Sequence, residues 1–153
     1  MIDTKTIAIV NKVDIIATAD DQYISLKSLC ESIGCDYDLG VRMLLESFEE
    51  ENYKDEGLDD EGNLIYWVYF SYAFGWLGRM CTFPDNTARV NSCFSAIHQY
   101  WNTSMVLKDE ILNITIERSK LISDIHGMEE RIVSLNRRRT YSENRLKNLI
   151  IDE

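Results

Sequence analysis

Residues 65–81 read IYWVYFSYAFGWLGRMC, and this stretch holds seven of the chain's sixteen aromatic residues. Large apolar side chains fall on both faces of residues 65–70, which predicts a strand covered on both sides. From Ser71 onward the spacing changes to that of a helix. Base-stacking surfaces combine aromatic rings with a positive groove, yet Arg79 is the one cation within five residues of these rings. We therefore predict that the stretch is mainly core.

The neighbouring segments predict an α+β fold, in which a small N-terminal domain of short antiparallel strands and helices is followed by a long C-terminal coiled-coil helix. TIAIVN and VDIIAT are rich in β-branched residues and flank Asn11 and Lys12, a pair that suits a tight reversal. A third strand, YISL, leads into a helix that Ser25 caps and Gly34 ends.

Two more helices are predicted, over residues 39–51 and 87–101, with an acidic surface loop over residues 55–62 between them. The second of these helices carries apolar residues at helical spacing, and they are Val90, Phe94, Ile97 and Trp101.

The 153-residue chain has a formal net charge of −10 at pH 7, and the charge is unevenly distributed. Residues 1–103 carry seven Lys or Arg and seventeen Asp or Glu, whereas residues 104–153 carry nine of each. Proteins draw most of their non-specific DNA affinity from cations that neutralise phosphates. An acidic domain over residues 1–103 therefore disfavours DNA as its partner.

The second part, residues 104–153, carries a heptad seam that predicts an oligomerisation helix with a basic end. Eight of nine positions in steps of four and three are apolar, as in a coiled coil. The nine positions are Leu107, Ile111, Ile114, Arg118, Leu121, Ile125, Met128, Ile132 and Leu135. The alternative is that the stripe packs onto its own domain. Additional apolar residues widen the stripe and leave the number of strands open, and they are Leu112, Ile116, Ile122 and Val133.

Arg118 interrupts this seam. A polar residue inside a seam commonly lowers stability and fixes register or oligomeric state. The alternative is that its aliphatic stem lies along the interface with the guanidinium in water.

A basic cluster follows the seam, in the sequence RRRTYSENRLK of residues 137–147. It offers contacts to DNA phosphates or to an acidic protein surface, or it is a solvated, ion-paired helical face. The five cations are Arg137, Arg138, Arg139, Arg145 and Lys147.

The chain contains no sequence motif for catalysis or for nucleotide phosphates. The four cysteines lack the spacing of a structural zinc site. His98 and His126 have no nucleophile or carboxylate at a suggestive spacing. We therefore predict a protein that is not an enzyme, with no catalytic residue, no metal and no cofactor.

In four places the first hundred residues resemble the N-terminal domain of phage antirepressors, a family related to the Bro-type domains of viral regulators. After the β-hairpin come YISLKSLCESIG, GCDYDLGVRMLLE, YFSYAFGWLGRM and AIHQYW. Gly75, Trp76 and Leu77 correspond to the family's Gly-Trp-Leu, and Tyr100 and Trp101 to its Tyr-Trp. The helix after Gly34 departs from the family because it lacks the glutamine common there.

The resemblance implies a small α+β domain of phage-encoded regulators, some of which bind and inactivate a repressor, with Gly75, Trp76, Leu77 and Trp101 as fold-defining positions. We accordingly expect a homo-oligomer that sequesters a repressor or another host or phage protein. The alternatives are a sequence-specific DNA-binding regulator that uses the basic cluster, and a structural phage component. The sequence has no signal peptide and no apolar run long enough for a transmembrane helix. The host cytoplasm is therefore the expected location, with no membrane partner.

Overall fold

The computed structural model describes residues 2–151, with the side chain of Pro84 excepted. The chain divides into two compact units, Met1–Ser104 and Met105–Glu153. The first unit contains a five-stranded antiparallel sheet with the order β1-β2-β3-β5-β4. Its strands are β1 (Thr4–Val10), β2 (Val13–Thr18), β3 (Tyr23–Ser25), β4 (Tyr53–Leu58) and β5 (Leu64–Tyr69).

The helices are α1 (Leu26–Ile33), α2 (Tyr37–Ser47), α3 (Phe70–Met80) and α4 (Thr87–Lys147), with short 3-10 turns at Glu50–Asn52 and Pro84–Asn86. Helix α4 is continuous over 61 residues, and its residues up to Ser104 belong to the first unit. The sheet and the long C-terminal helix confirm the predicted α+β class.

The predicted reversal between β1 and β2 is confirmed. Asn11 and Lys12 have φ values of 51° and 66°. Two successive left-handed residues form the turn whose twist suits an antiparallel hairpin. Asn is well suited to this conformation, and the side-chain amide of Asn11 also donates a 2.8 Å hydrogen bond to the carbonyl oxygen of Ser32.

Both predicted ends of α1 are confirmed. The hydroxyl oxygen of Ser25 accepts a 3.2 Å hydrogen bond from the backbone N–H of Ser28, which satisfies one of the first N–H groups of the helix. Gly34 ends α1 in the left-handed region at φ 72°, a conformation that glycine adopts without strain.

The predicted loop over residues 55–62 is wrong in its first half. Strand β4 continues to Leu58, and the connection to β5 spans residues 59–63. The acidic residues of this segment indicated a loop, because Asp, Glu and Gly are depleted in strands. Pairing with the apolar strand β5 overrides that preference, with Asp55 opposite Tyr66.

The aromatic stretch is mainly core, as predicted. Trp67, Phe70 and Trp76 are buried, whereas Tyr69 and Tyr72 are partly exposed. Tyr66, Trp67 and Val68 are consecutive and all buried, so both faces of β5 are covered, and Trp76 continues the buried side chains on the inner face of α3. The apolar groups of α1, α3 and the start of α4 pack into the same core, so the stretch connects sheet and helices.

The start of α4 differs from the prediction in one residue. Val90 and Ile97 are buried as expected, together with Cys93, whereas Phe94 is 40% exposed. Cys93 and Phe94 lie on opposite sides of Val90, about 60° and 40° round the helix, and the core covers the side that carries Cys93. Phe94 instead packs edge-on against Phe74, with ring centroids 5.1 Å apart. Among the described residues, no helix is both long and apolar enough to cross a membrane.

Candidate protein-binding surfaces

The apolar stripe of the second unit is the largest exposed hydrophobic feature of the described chain. Each of its eight large apolar side chains, from Leu107 to Leu135, is between 48% and 67% exposed. Every described residue from 105 to 151 is exposed. In soluble proteins, large contiguous patches of exposed apolar surface commonly serve in interactions, and a long amphipathic helix draws most of its stability from packing of its apolar face.

The stripe follows a repeat of 3.5 residues, whereas a straight α-helix has 3.6 residues per turn. The seam therefore drifts by about 20° per heptad, a drift that a left-handed supercoil around another helix removes. Four further apolar residues are 45–57% exposed and lie outside the strict seam, and they are Leu112, Ile116, Ile122 and Val133. Only Ile122 adjoins the seam, because at 100° per residue the other three lie on the outer side of the helix, so the predicted widening of the stripe is limited to Ile122.

Two hydroxyl side chains next to seam residues form hydrogen bonds within their own helix. The hydroxyl of Thr115 donates a 2.8 Å hydrogen bond to the carbonyl oxygen of Ile111, and the hydroxyl of Ser119 donates one of 3.0 Å to the carbonyl oxygen of Thr115. These side chains therefore present little unsatisfied polarity to a partner. Arg118 is exposed within the seam, as its position predicts.

The basic cluster is helical, and helical geometry disperses its cations. Because successive residues lie about 100° apart around the axis, Arg137, Arg138 and Arg139 point in three directions. Arg138 and Arg145 share a face, since seven residues make nearly two turns. The guanidinium of Arg139 pairs with the carboxylate of Glu143 at 2.8 Å, and that of Arg145 lies 5.9 Å from the Tyr141 ring. The cluster is thus not a one-sided basic groove.

An acidic edge on the first unit extends beyond the acidic surface loop that the sequence predicts over residues 55–62. It consists of residues 49–61, which lie after α2 and include the edge strand β4 and the start of the turn to β5. These residues carry eight carboxylates and one cation, Lys54. Seven of the carboxylates are exposed. Charge at an edge strand also prevents unwanted pairing with another chain.

Two carboxylates of the acidic edge have structural roles. Glu56 accepts a 2.8 Å hydrogen bond from the indole nitrogen of Trp67. Asp59 accepts hydrogen bonds of 2.9 Å from the backbone N–H groups of Glu61 and Asn63, which closes the β4–β5 turn. The remaining carboxylates are available to a basic partner.

Asp21 forms a buried junction within the first unit. Its carboxylate lies 2.7 Å from the Lys5 ammonium and accepts hydrogen bonds from the hydroxyls of Tyr100 at 2.7 Å and Ser104 at 3.4 Å. The hydrogen bond to Asp21 raises the pKa of Lys5 above its usual value. The junction ties β1, the turn before β3 and α4 together, so its role is structural.

The cysteines and histidines of the described residues lie apart from any metal-binding cluster. The four cysteines are free thiols, and among the described residues no group of three His, Cys, Asp or Glu side chains is placed to hold a metal ion. His98 stacks on Phe94 and faces the side-chain amide of Asn102. His126 is exposed beside Glu129.

Cys30 and Cys35 form a hydrogen-bonded pair. The bond to Cys35, together with burial, raises the pKa of Cys30, and the bond from Cys30 lowers the pKa of Cys35. Gly40 adjoins the pair, and the Cys30 sulfur lies where a Cβ on Gly40 would be. This close packing indicates that the two cysteines contribute to the packing of the core.

In the comparisons with known proteins, no family model, no curated protein and no solved structure matches the chain. The resemblance to phage antirepressor domains therefore stays a prediction.

Proposed function

We propose that this protein is a regulatory factor that acts by binding another protein, in the manner of a phage antirepressor that sequesters a repressor in the host cytoplasm. Several copies associate through the apolar stripe of α4 as a coiled coil. Each copy presents the acidic first unit to the target. The observation that carries the proposal is the exposed apolar stripe from Leu107 to Leu135.

Self-association follows from the energetics of that stripe. Burying one large apolar side chain contributes roughly 1.5–3 kcal/mol, and the seam offers eight of them in each chain. Multiple copies on one assembly raise the effective concentration of the first unit toward an oligomeric target. Repressors are commonly symmetric oligomers, so such avidity suits a sequestering protein.

The expected target is basic. Residues 1–103 hold the whole net charge of −10, and the acidic edge concentrates eight carboxylates over thirteen residues. A repressor's DNA-binding surface is positive, so charge complementarity would steer the encounter and weaken it at high salt.

Direct DNA binding is the second candidate, and the five cations between Arg137 and Lys147 favour it. Its affinity would fall steeply with salt and would disappear when the five are replaced by glutamine. Helical dispersal of the first three arginines weakens this candidate, because few of them would face one groove.

The test is a pull-down of the tagged chain from a lysate that carries a resident prophage, with and without nuclease, read by mass spectrometry. The proposal expects a stoichiometric DNA-binding protein that survives nuclease. The five-glutamine variant, as a matched control, should capture it equally well. Recovery of nucleic acid without such a protein, lost in the five-glutamine variant, would establish DNA binding instead.

A further inference from the structure

We propose that two copies of this chain pair through α4 in antiparallel orientation, in the register that places Asp124 of one copy opposite Arg131 of the other. This inference rests on the self-association step of the proposed function and specifies its geometry. It is independent of the identity of the target.

The seam alternates between two heptad positions, a and d. Ile111, Arg118, Ile125 and Ile132 occupy a, and the other five seam residues occupy d. The residue before each a position, at position g, flanks the seam and faces the neighbouring helix. Charge at these flanking positions sets the orientation of paired helices.

The g positions of α4 are segregated by charge. The first three are acidic and the next three are basic, in the order Glu110, Glu117, Asp124, Arg131, Arg138 and Arg145. All six lie in the continuous helix α4, and each is exposed. Because the helix is unbroken, their seven-residue spacing places them along one line beside the stripe.

In an antiparallel pair, g positions face g positions, and the acidic half of each helix meets the basic half of the other. Asp124 then faces Arg131, and the two outer pairs along the same line join Glu117 to Arg138 and Glu110 to Arg145. One register aligns all three pairs, and two-fold symmetry repeats each of them. The residue after each d position, at position e, flanks the seam on the other side. In this register no two e positions of like charge face each other.

A parallel pair has poorer charge complementarity. Each g position then faces the e position five residues further along the second copy. Asp124 would face Glu129, a like-charged pair, while Arg138 would face Glu143 favourably. The two effects offset each other, so charge gives no net preference for the parallel pair.

The seam itself also disfavours the parallel pair. In that orientation each a position faces the same residue of the other copy, so Arg118 would face Arg118, and Arg139, which occupies the next a position after Ile132, would face Arg139. In the antiparallel register Arg118 faces Leu135 and Arg139 faces Ile114. Both guanidinium groups then extend past an apolar side chain toward water, as arginine commonly does.

Cysteine cross-linking tests the orientation. Leu121 of one copy faces Ile132 of the other in the antiparallel register. Two Leu121 residues are then about 16 Å apart along the axis, beyond the roughly 7 Å between Cα atoms that a disulfide tolerates. Full-length Leu121→Cys and Ile132→Cys chains, with different tags, are co-expressed and mildly oxidised. The wild-type chain is the control for the four native cysteines, and linked peptides are mapped by mass spectrometry.

The proposal expects a disulfide between Cys at 121 and Cys at 132 of different chains, and none between two chains that carry Leu121→Cys. Disulfides between identical Leu121→Cys chains would establish the parallel orientation and overturn the proposal. Absence of both links would overturn the register.

A charge variant provides a second test, because it should weaken an antiparallel pair and strengthen a parallel pair. Asp124→Arg places two arginines opposite each other in the antiparallel pair but relieves the Asp124–Glu129 repulsion in a parallel pair. We expect the dissociation constant to rise about tenfold at low ionic strength, and Asp124→Arg/Arg131→Asp to restore it. Tighter association of the single variant would contradict the antiparallel pair.

The two proposals fail separately. If the chain oligomerises in another geometry, the proposed function stands and this inference does not. If the antiparallel pair forms and the pull-down recovers no target, this inference stands alone.

Discussion

The indole Nε1 of Trp76 donates a 3.1 Å hydrogen bond to the backbone carbonyl oxygen of Gly40. This bond joins α3 to α2 inside the core. A Cβ on Gly40 would meet the Cys30 sulfur and would lie 3.2 Å from the Trp76 ring. Gly40 is therefore required by close packing rather than by its backbone conformation.

Gly40→Ala should lower the free energy of unfolding by about 1–3 kcal/mol, as overpacking of a filled core does. The measurement is urea unfolding followed by tryptophan fluorescence. Gly78→Ala is the matched control, because Gly78 lies on the same helix as Trp76 with no atom within 4 Å of its added Cβ. It should gain up to about 1 kcal/mol from helix propensity. Equal effects of the two changes would refute the packing argument.

Asp21→Asn should lower the free energy of unfolding by about 1.5–3 kcal/mol, since hydrogen bonds to a charged group are lost or weakened. The variant keeps the shape of the junction but removes the charge that faces Lys5 and Tyr100. Thermal or urea unfolding provides the measurement. Lys27→Ala, at an exposed ammonium that lies 4.0 Å from the Asp59 carboxylate, should change stability by less than about 0.5 kcal/mol. A loss at Lys27 as large as that at Asp21 would contradict this assignment.

Stability should decline as the pH rises above about 9, because the raised pKa values of the buried Cys30 and Cys93 thiols and of Tyr37 let the folded state keep protons that the unfolded chain has lost. Burial raises the pKa of Tyr37 above its usual 10.0, so the unfolded chain loses this proton first and the folded state binds more protons. Lys5, with its raised pKa, adds a loss at still higher pH, as the pH passes its folded-state pKa. Urea midpoints between pH 7 and 11 measure the decline.

Tyr37→Phe should flatten this decline while lowering stability at pH 7. The Tyr37 hydroxyl donates a 2.7 Å hydrogen bond to the Leu64 carbonyl oxygen and accepts one of 3.1 Å from the Tyr66 N–H, and their loss costs roughly 1–3 kcal/mol. Tyr72→Phe, at an exposed ring on α3, is the control and should keep the wild-type slope. If stability falls with pH as steeply in Tyr37→Phe as in the wild-type chain, groups other than Tyr37 cause the alkaline decline.

The cysteines should differ in reactivity toward iodoacetamide in the native protein. Cys35 and Cys81 are partly exposed, whereas Cys30 and Cys93 are buried, and the lowered pKa of Cys35 favours its thiolate. Mass spectrometry of a labelling time course should therefore find Cys30 and Cys93 modified last. Cys30→Ala removes the hydrogen bond to Cys35 and should slow labelling there. Early labelling of Cys30 in the wild-type chain would mean that the pair opens.

The apolar stripe and its charges could be read directly from the sequence, because both are helical repeats within one segment. The continuity of α4 and the exposure of the whole stripe could not, since an amphipathic stripe fits a domain surface as well as another helix. The sequence predicts the acidic residues 55–62 as a surface loop but does not predict the edge strand β4, because that strand is polar along most of its length. Its strand conformation depends on pairing with β5, and such non-local partners are not encoded in local propensity.

The sequence by itself determined the local geometry: the reversal at Asn11 and Lys12, the cap at Ser25 and the helix end at Gly34 each depend on the conformational preference of one residue and its neighbours. The tertiary structure alone decided which groups meet across the chain. Gly40 under Trp76 and Asp21 beside Tyr100 are separated by 36 and 79 residues. Their contacts depend on how sheet and helices pack, and no spacing in the sequence records that packing.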